Sequence, residues 1–101
     1  MTYREQFPNS KQLAEAIRLQ TRSDILSLMK WIAMELLVES NGDMHATYEY
    51  FSPVYDELYH AIIFKKLKIQ EETKELLEIL ATPLFRKTPM EQQQIFEDYI
   101  L

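Results

Sequence analysis

A single glycine, Gly42, stands in a chain of 101 residues. Glycine supplies the left-handed backbone positions of tight turns, phosphate-cradling loops and close backbone-ligand approaches. A chain almost without it has little material for a dinucleotide site, a P-loop or a nucleophile elbow. The sequence reads instead as helices joined by short polar connections, with no credible strand.

The length fits one domain spanning residues 1–101, large enough for a modest core and too small for a second. At 47% hydrophobic and 27% charged residues the chain has an ordinary globular balance. Its longest strongly apolar stretch, Ile25 to Val38, is interrupted by Lys30 and Glu35 and is too short to span a bilayer. The first eight residues lack the apolar region of a secretory signal, so a cytoplasmic location is expected, peripheral at a membrane at most. The absence of cysteine fits that location and removes thiolate zinc sites, thiol nucleophiles and disulfides. A net charge of -5 argues against broad binding to nucleic acid, which needs Lys and Arg to neutralise phosphates.

Capping signals divide the chain. Asn9, three places before Gln12, predicts a helix start, and Leu13, Ala16 and Ile17 share the face that follows. A second helix opens near Ser23, has Asp24 in its first turn and stops at Ser40, Asn41, Gly42 and Asp43. Ser52 and Pro53 resemble an N-cap and a first helical residue, which predicts a third helix from there to about Leu67. Residues 44–51 stay open, since Met44, Tyr48 and Phe51 also recur at helical spacing and could form a turn that Pro53 kinks. A fourth helix from about Gln70 to Thr82 puts Leu76, Leu77, Ile79 and Leu80 inward, and Pro83 marks its end. Thr88, Pro89 and Glu91 form a capping-box pattern for a last short helix with Ile95, Phe96 and Tyr99 inward. Short connections make sequential helices neighbours, so the expected fold is all-α, an antiparallel four- to five-helix bundle.

Chemistry is sparse in this sequence. Glu57 and His60 have the Glu-x-x-His spacing of di-iron bundles, but no second copy exists, and both project away from the face defined by Val54, Leu58 and Ile62. A solvated cluster, with His60 stabilised by Asp56 and Glu57, is the expected arrangement. His45, near Asp43 and Glu49, reads as an exposed loop residue rather than a metal ligand. No Ser/His/Asp arrangement has supporting context, so neither an enzyme, a cofactor, a metal nor a small-molecule substrate is expected.

Two stretches are candidates for partner binding. Lys65, Lys66 and Lys68 form the densest basic cluster, either simply the end of a helix or a small docking patch for lipid headgroups or nucleic acid. On the second helix, Ile25, Leu28, Met29, Ile32, Ala33 and Leu36 form a core stripe, while Trp31, Met34 and Val38 fall on the opposite side. A helix apolar nearly all round is central in the fold or covered by another molecule, which leaves Trp31 as either core or interface. A tryptophan and a methionine on an outer face suit a protein partner or a homodimer.

The stretch from Ser23, Asp24, Ile25 and Leu26 to Tyr59, then Phe64 to Ile69 and Glu75 to Leu80, resembles the small immunity proteins that guard lactic-acid bacteria against pediocin-like bacteriocins. The similarity lies in helix order, helix lengths and scattered matches. It implies a cytoplasmic antiparallel four-helix bundle that recognises a membrane sugar transporter occupied by the bacteriocin, with specificity towards the C-terminal part. It implies no catalytic residue. The alternatives are a small regulatory or inhibitor protein acting through Trp31, Met34 and Val38, and a nucleic-acid-binding regulator using the lysines.

Overall fold

The computed structural model describes residues 3–20, 23–64, 67–82 and 88–100. The helices are α1 (Tyr3–Gln6), α2 (Ser10–Leu19), α3 (Ile25–Glu39), α4 (Met44–Ile63), α5 (Glu71–Leu80) and α6 (Pro89–Ile95), the last continuing into a π-helical turn at Phe96–Ile100. Among the described residues there is no strand, and the fold is an all-α bundle.

Local chemistry sets most of the boundaries. The Asn9 side chain accepts the Gln12 backbone N–H at 3.1 Å, so α2 begins where the sequence puts it, and Leu13, Ala14, Ala16 and Ile17 are buried beneath it. At the far end of α3 the Gly42 N–H donates to the Leu37 carbonyl at 2.7 Å and the Asn41 N–H to Val38 at 3.3 Å. This is the Schellman pattern, with Asn41 (φ 58°) and Gly42 (φ 87°) both left-handed. The one glycine thus sits where the backbone must reverse between α3 and α4. The start of α3 differs slightly from expectation, with Asp24 at the cap position and not in the first turn, and its side chain does not cap the helix.

Residues 44–51, left open by the sequence, are helical, and the helix start expected at Ser52-Pro53 falls inside a longer helix. That helix, α4, runs unbroken from Met44 to Ile63 with Pro53 inside it, and its cap is Asp43, whose carboxylate accepts the His45 N–H at 2.9 Å. Proline removes the amide that would serve the Glu49 carbonyl, but Glu49 and Pro53 both lie on an exposed face where water can take its place. On the other side Met44, Thr47, Phe51, Val54, Leu58 and Ile62 form one continuous buried face, and that burial outweighs the local stop signal. The Tyr50 hydroxyl also donates to the Phe7 carbonyl at 2.7 Å, tying the segment before α2 to the middle of α4.

In α5, Thr73, Leu76, Leu77 and Leu80 are buried and Ile79 is only partly so. Pro83, expected to mark its end, lies outside the described residues. The α6 capping box forms as the sequence predicts, with Thr88 Oγ1 accepting the Glu91 N–H and a Glu91 carboxylate oxygen accepting the Thr88 N–H, both at 3.2 Å. No residue of α6 itself is fully buried. Ile95 and Phe96 pack part-buried against the core and Ile100 is buried, so the π turn anchors this segment; the Tyr99 side chain lies outside the description.

The turn after Glu39 sends α4 back along α3. Beyond α4 the Leu67 N–H reaches the Ala61 carbonyl at 3.1 Å, and α5 then packs against both α3 and α4. A groove joins Ser23, Ile25 and Leu26 to Lys68, Gln70 and Thr73, so the starts of α3 and α5 share one end of the bundle with the close of α2. The α3–α4 turn and α6 occupy the opposite end. With α1, α4, α5 and the π turn around it, α3 is the central helix.

Candidate interaction surface

Central position does not bury α3 on all sides. Trp31, Met34 and Val38 stand at i, i+3 and i+7 on the face opposite the core stripe. Their environments differ: Trp31 is 47% exposed, Val38 is 77% exposed, and Met34 leans part-buried against the core. The expected outer face is therefore made of Trp31 and Val38, with Met34 turned to packing.

Val38 opens into a groove of about 420 Å³ between the end of α3, the α3–α4 turn and α6. Its apolar walls are Leu37, Val38, Met44, Pro89 and Phe96, and the amides of Asn41, Gln92 and Gln93 lie at its edge. The groove runs between α3 and α6, with Phe96 of the π turn among its lining residues. None of the described residues that line the groove is charged, and a largely apolar cleft of this kind is suited to an apolar side chain with a few hydrogen bonds around it.

The lysines belong elsewhere. Lys65 and Lys66 lie outside the described residues. Lys68 is exposed at the other end of the bundle, beside Gln20 and Ser23. The length of α3 separates that end from Val38 by about 20 Å, so the two candidate sets do not form one site.

The titratable groups are occupied with structure. Asp43 caps α4, and His45 Nε2 approaches Glu49 Oε1 at 2.9 Å while its ring stacks on Tyr48 at 5.8 Å. His45 is half-buried on the first turn of α4 rather than in an open loop. His60 differs from expectation: its ring lies parallel to Phe64, centroids 6.1 Å apart, and edge-on to Tyr59, rather than pairing with Asp56 or Glu57. No group of three metal-ligating side chains is found among the described residues. Burial, and then the Glu78 carboxylate, with smaller contributions from Tyr59 and Asp56, raise the pKa of the Tyr55 hydroxyl and keep it neutral.

A second apolar surface was not singled out in the sequence. At the end of α4, Tyr59, Ile63 and Phe64 are exposed, the last by 66%, and Leu19 at the close of α2 is exposed by 59%. The signal was the unbroken run Ile62, Ile63, Phe64, because adjacent residues on a helix point in different directions and cannot all enter one core. Only Ile62 does.

Compared with known proteins, the chain matches no protein-family model, no curated protein and no solved structure. Its surfaces and its sequence therefore carry the functional reading.

Proposed function

We propose that this chain is a non-enzymatic interaction protein whose partner is another protein, engaged by the outer face of α3. The observation that carries this reading is Val38, 77% exposed on the central helix at the mouth of an apolar groove, with Trp31 two turns away on the same face. Tryptophan anchors beside a small apolar cleft are the usual energetic centres of protein interfaces, and shallow contacts around them serve mainly to exclude water. The apolar side chains among the described groove walls suit an apolar side chain of the partner.

The resemblance of residues 23–59 and the following segments to pediocin-like bacteriocin immunity proteins supplies the specific form of the proposal. In that form the chain is cytoplasmic and its partner is a membrane transporter occupied by a bacteriocin. Expression in a bacteriocin-sensitive strain followed by challenge tests it. Protection by the natural sequence, lost in Val38→Lys and Trp31→Ala variants that stay folded, supports both partner and surface. Failure of the natural sequence to protect against a panel of such bacteriocins removes the immunity form. Protection unchanged in both variants removes the surface.

A further inference from the structure

The end of the bundle opposite Val38 holds a groove of about 330 Å³ where α2 closes and α3 and α5 begin. The first intrahelical bonds there run from the Leu28 N–H to Asp24 and from the Lys74 N–H to Gln70, so the amides of residues 25–27 and 71–73 precede both ladders. Neither Asp24 nor Gln70 caps its helix with a side chain. Ile25 and Leu26 of one first turn and Thr73 of the other line the same groove. Two positive helix ends therefore meet in one place.

A buried hydroxyl is an observation independent of the backbone. Thr73 is only 5% exposed, and its hydroxyl has no hydrogen-bond partner among the described residues. Thr47, also buried, differs in donating to the Met44 carbonyl at 2.6 Å. Because Thr73 lines the groove, the small part of it that stays open faces that space. An enclosed hydroxyl without an acceptor costs free energy, and an oxygen held in the groove removes that cost.

We propose that this groove binds a short aliphatic monocarboxylate. The carboxylate accepts from the Thr73 hydroxyl and from first-turn amides of α3 and α5, while Lys68 adds positive charge at the groove. Ile17, Ile25, Leu26 and Ile69 form an apolar wall for the aliphatic body, and the volume suits a small ligand. Asp24, Glu71 and Glu72 are exposed around the same helix starts and do not line the groove. Their charge selects a monoanion over a phosphate dianion, since repulsion grows with the charge of the ligand. At the α2 end the Gln20 N–H occupies the carbonyls of Ala16 and Ile17, which lessens the negative pole there. The groove contains none of Trp31, Met34 and Val38 and stands or falls independently of that face.

NMR titration of the full chain with hexanoate tests the proposal. Hexanoate should shift the amides of residues 25–27 and 71–73 and bind at least about tenfold more tightly than hexanol, which has the same body without the charge. It should also bind more tightly than hexyl phosphate. Thr73→Val, which keeps size and burial, should lose about tenfold, whereas Thr73→Ser should stay within about twofold of the natural sequence. The double variant Glu71→Gln, Glu72→Gln should gain about threefold by removing repulsion. Hexanol binding as tightly as hexanoate overturns the proposal, and this comparison uses the natural sequence, so it stands whatever the folding of the variants. Hexyl phosphate binding more tightly than hexanoate overturns it too, as does an unchanged affinity in a Thr73→Val variant that circular dichroism shows to be helical. Shifts confined to the groove beside Val38, or none with hexanoate up to about 10 mM, overturn it as well.

Discussion

The two faces of α3 are built from similar residues and meet opposite surroundings. On the inner face Leu28, Met29, Ile32 and Ala33 are fully enclosed by neighbouring helices, while one half-turn away Trp31 and Val38 meet solvent. Residue type therefore does not decide burial in this helix; angular position relative to α1, α4, α5 and the π turn does. A helix placed at the centre of so small a bundle still has more circumference than its neighbours cover. The uncovered arc is where an apolar side chain costs solubility without adding to the core, which is the reason to assign it a partner.

The contrast fails if the two faces contribute alike to folding. Ile32→Ala and Leu77→Ala should each cost about 2–5 kcal/mol, because both side chains are fully enclosed and a cavity would remain. Chemical denaturation of purified variants reads this directly. Trp31→Ala should fall below them, about 1–3 kcal/mol, since roughly half of a large ring is already in water. A loss for Trp31→Ala as large as for Ile32→Ala would mean that the outer face is structural and the comparison is wrong.

Where the structure and the sequence agree, the determinant was local. Asn9 over Gln12, Thr88 with Glu91, and the Asn41-Gly42 reversal each complete their hydrogen bonds within a few residues, and each was readable in advance. Pro53 was misleading for the opposite reason. The stop signal at Ser52-Pro53 is local, but Phe51 and Thr47 are buried against other helices, and their contribution to α4 is visible only after the chain has folded. The same limit hid the exposed pair Ile63 and Phe64, since a run of three apolar residues does not say which of them the packed helices will cover. The short α1 and the π turn were not foreseen either, since four or five residues contain too little periodicity to announce themselves. Trp31 and Val38 were placed on the correct face by angle alone, while the split between them and Met34 needed the packed neighbours.

The α6 cap sharpens the comparison from outside α3. Thr88→Ala removes the hydroxyl that accepts the Glu91 N–H, leaves the residue 88 backbone N–H to donate to the Glu91 carboxylate, and should cost about 0.5–2 kcal/mol in stability. Because Pro89, Gln92, Gln93 and Phe96 form the far side of the groove, the same variant should weaken binding of any partner that inserts beside Val38. Binding unchanged while α6 frays, as measured by hydrogen exchange in residues 89–95, would confine the partner to α3 itself.

The smallest effect on folding is the most informative. Val38 is so exposed that replacing it removes almost no packing, and Val38→Lys puts a cation in the last turn of α3, where the helix dipole favours positive charge. Lysine also has a higher helix propensity than valine, so the stability change should stay within about 0.5 kcal/mol and lean towards stabilisation. At an interface the same substitution drives a hydrated ammonium into the apolar mouth of the groove, where no carboxylate lines the walls to receive it. Desolvating that charge without a partner should lower affinity by at least about tenfold. Measuring the melting temperature and partner binding of Val38→Lys together separates the roles. An unchanged melt with lost binding places the partner on this face, whereas a clear loss of stability would show that Val38 belongs to the folded core after all.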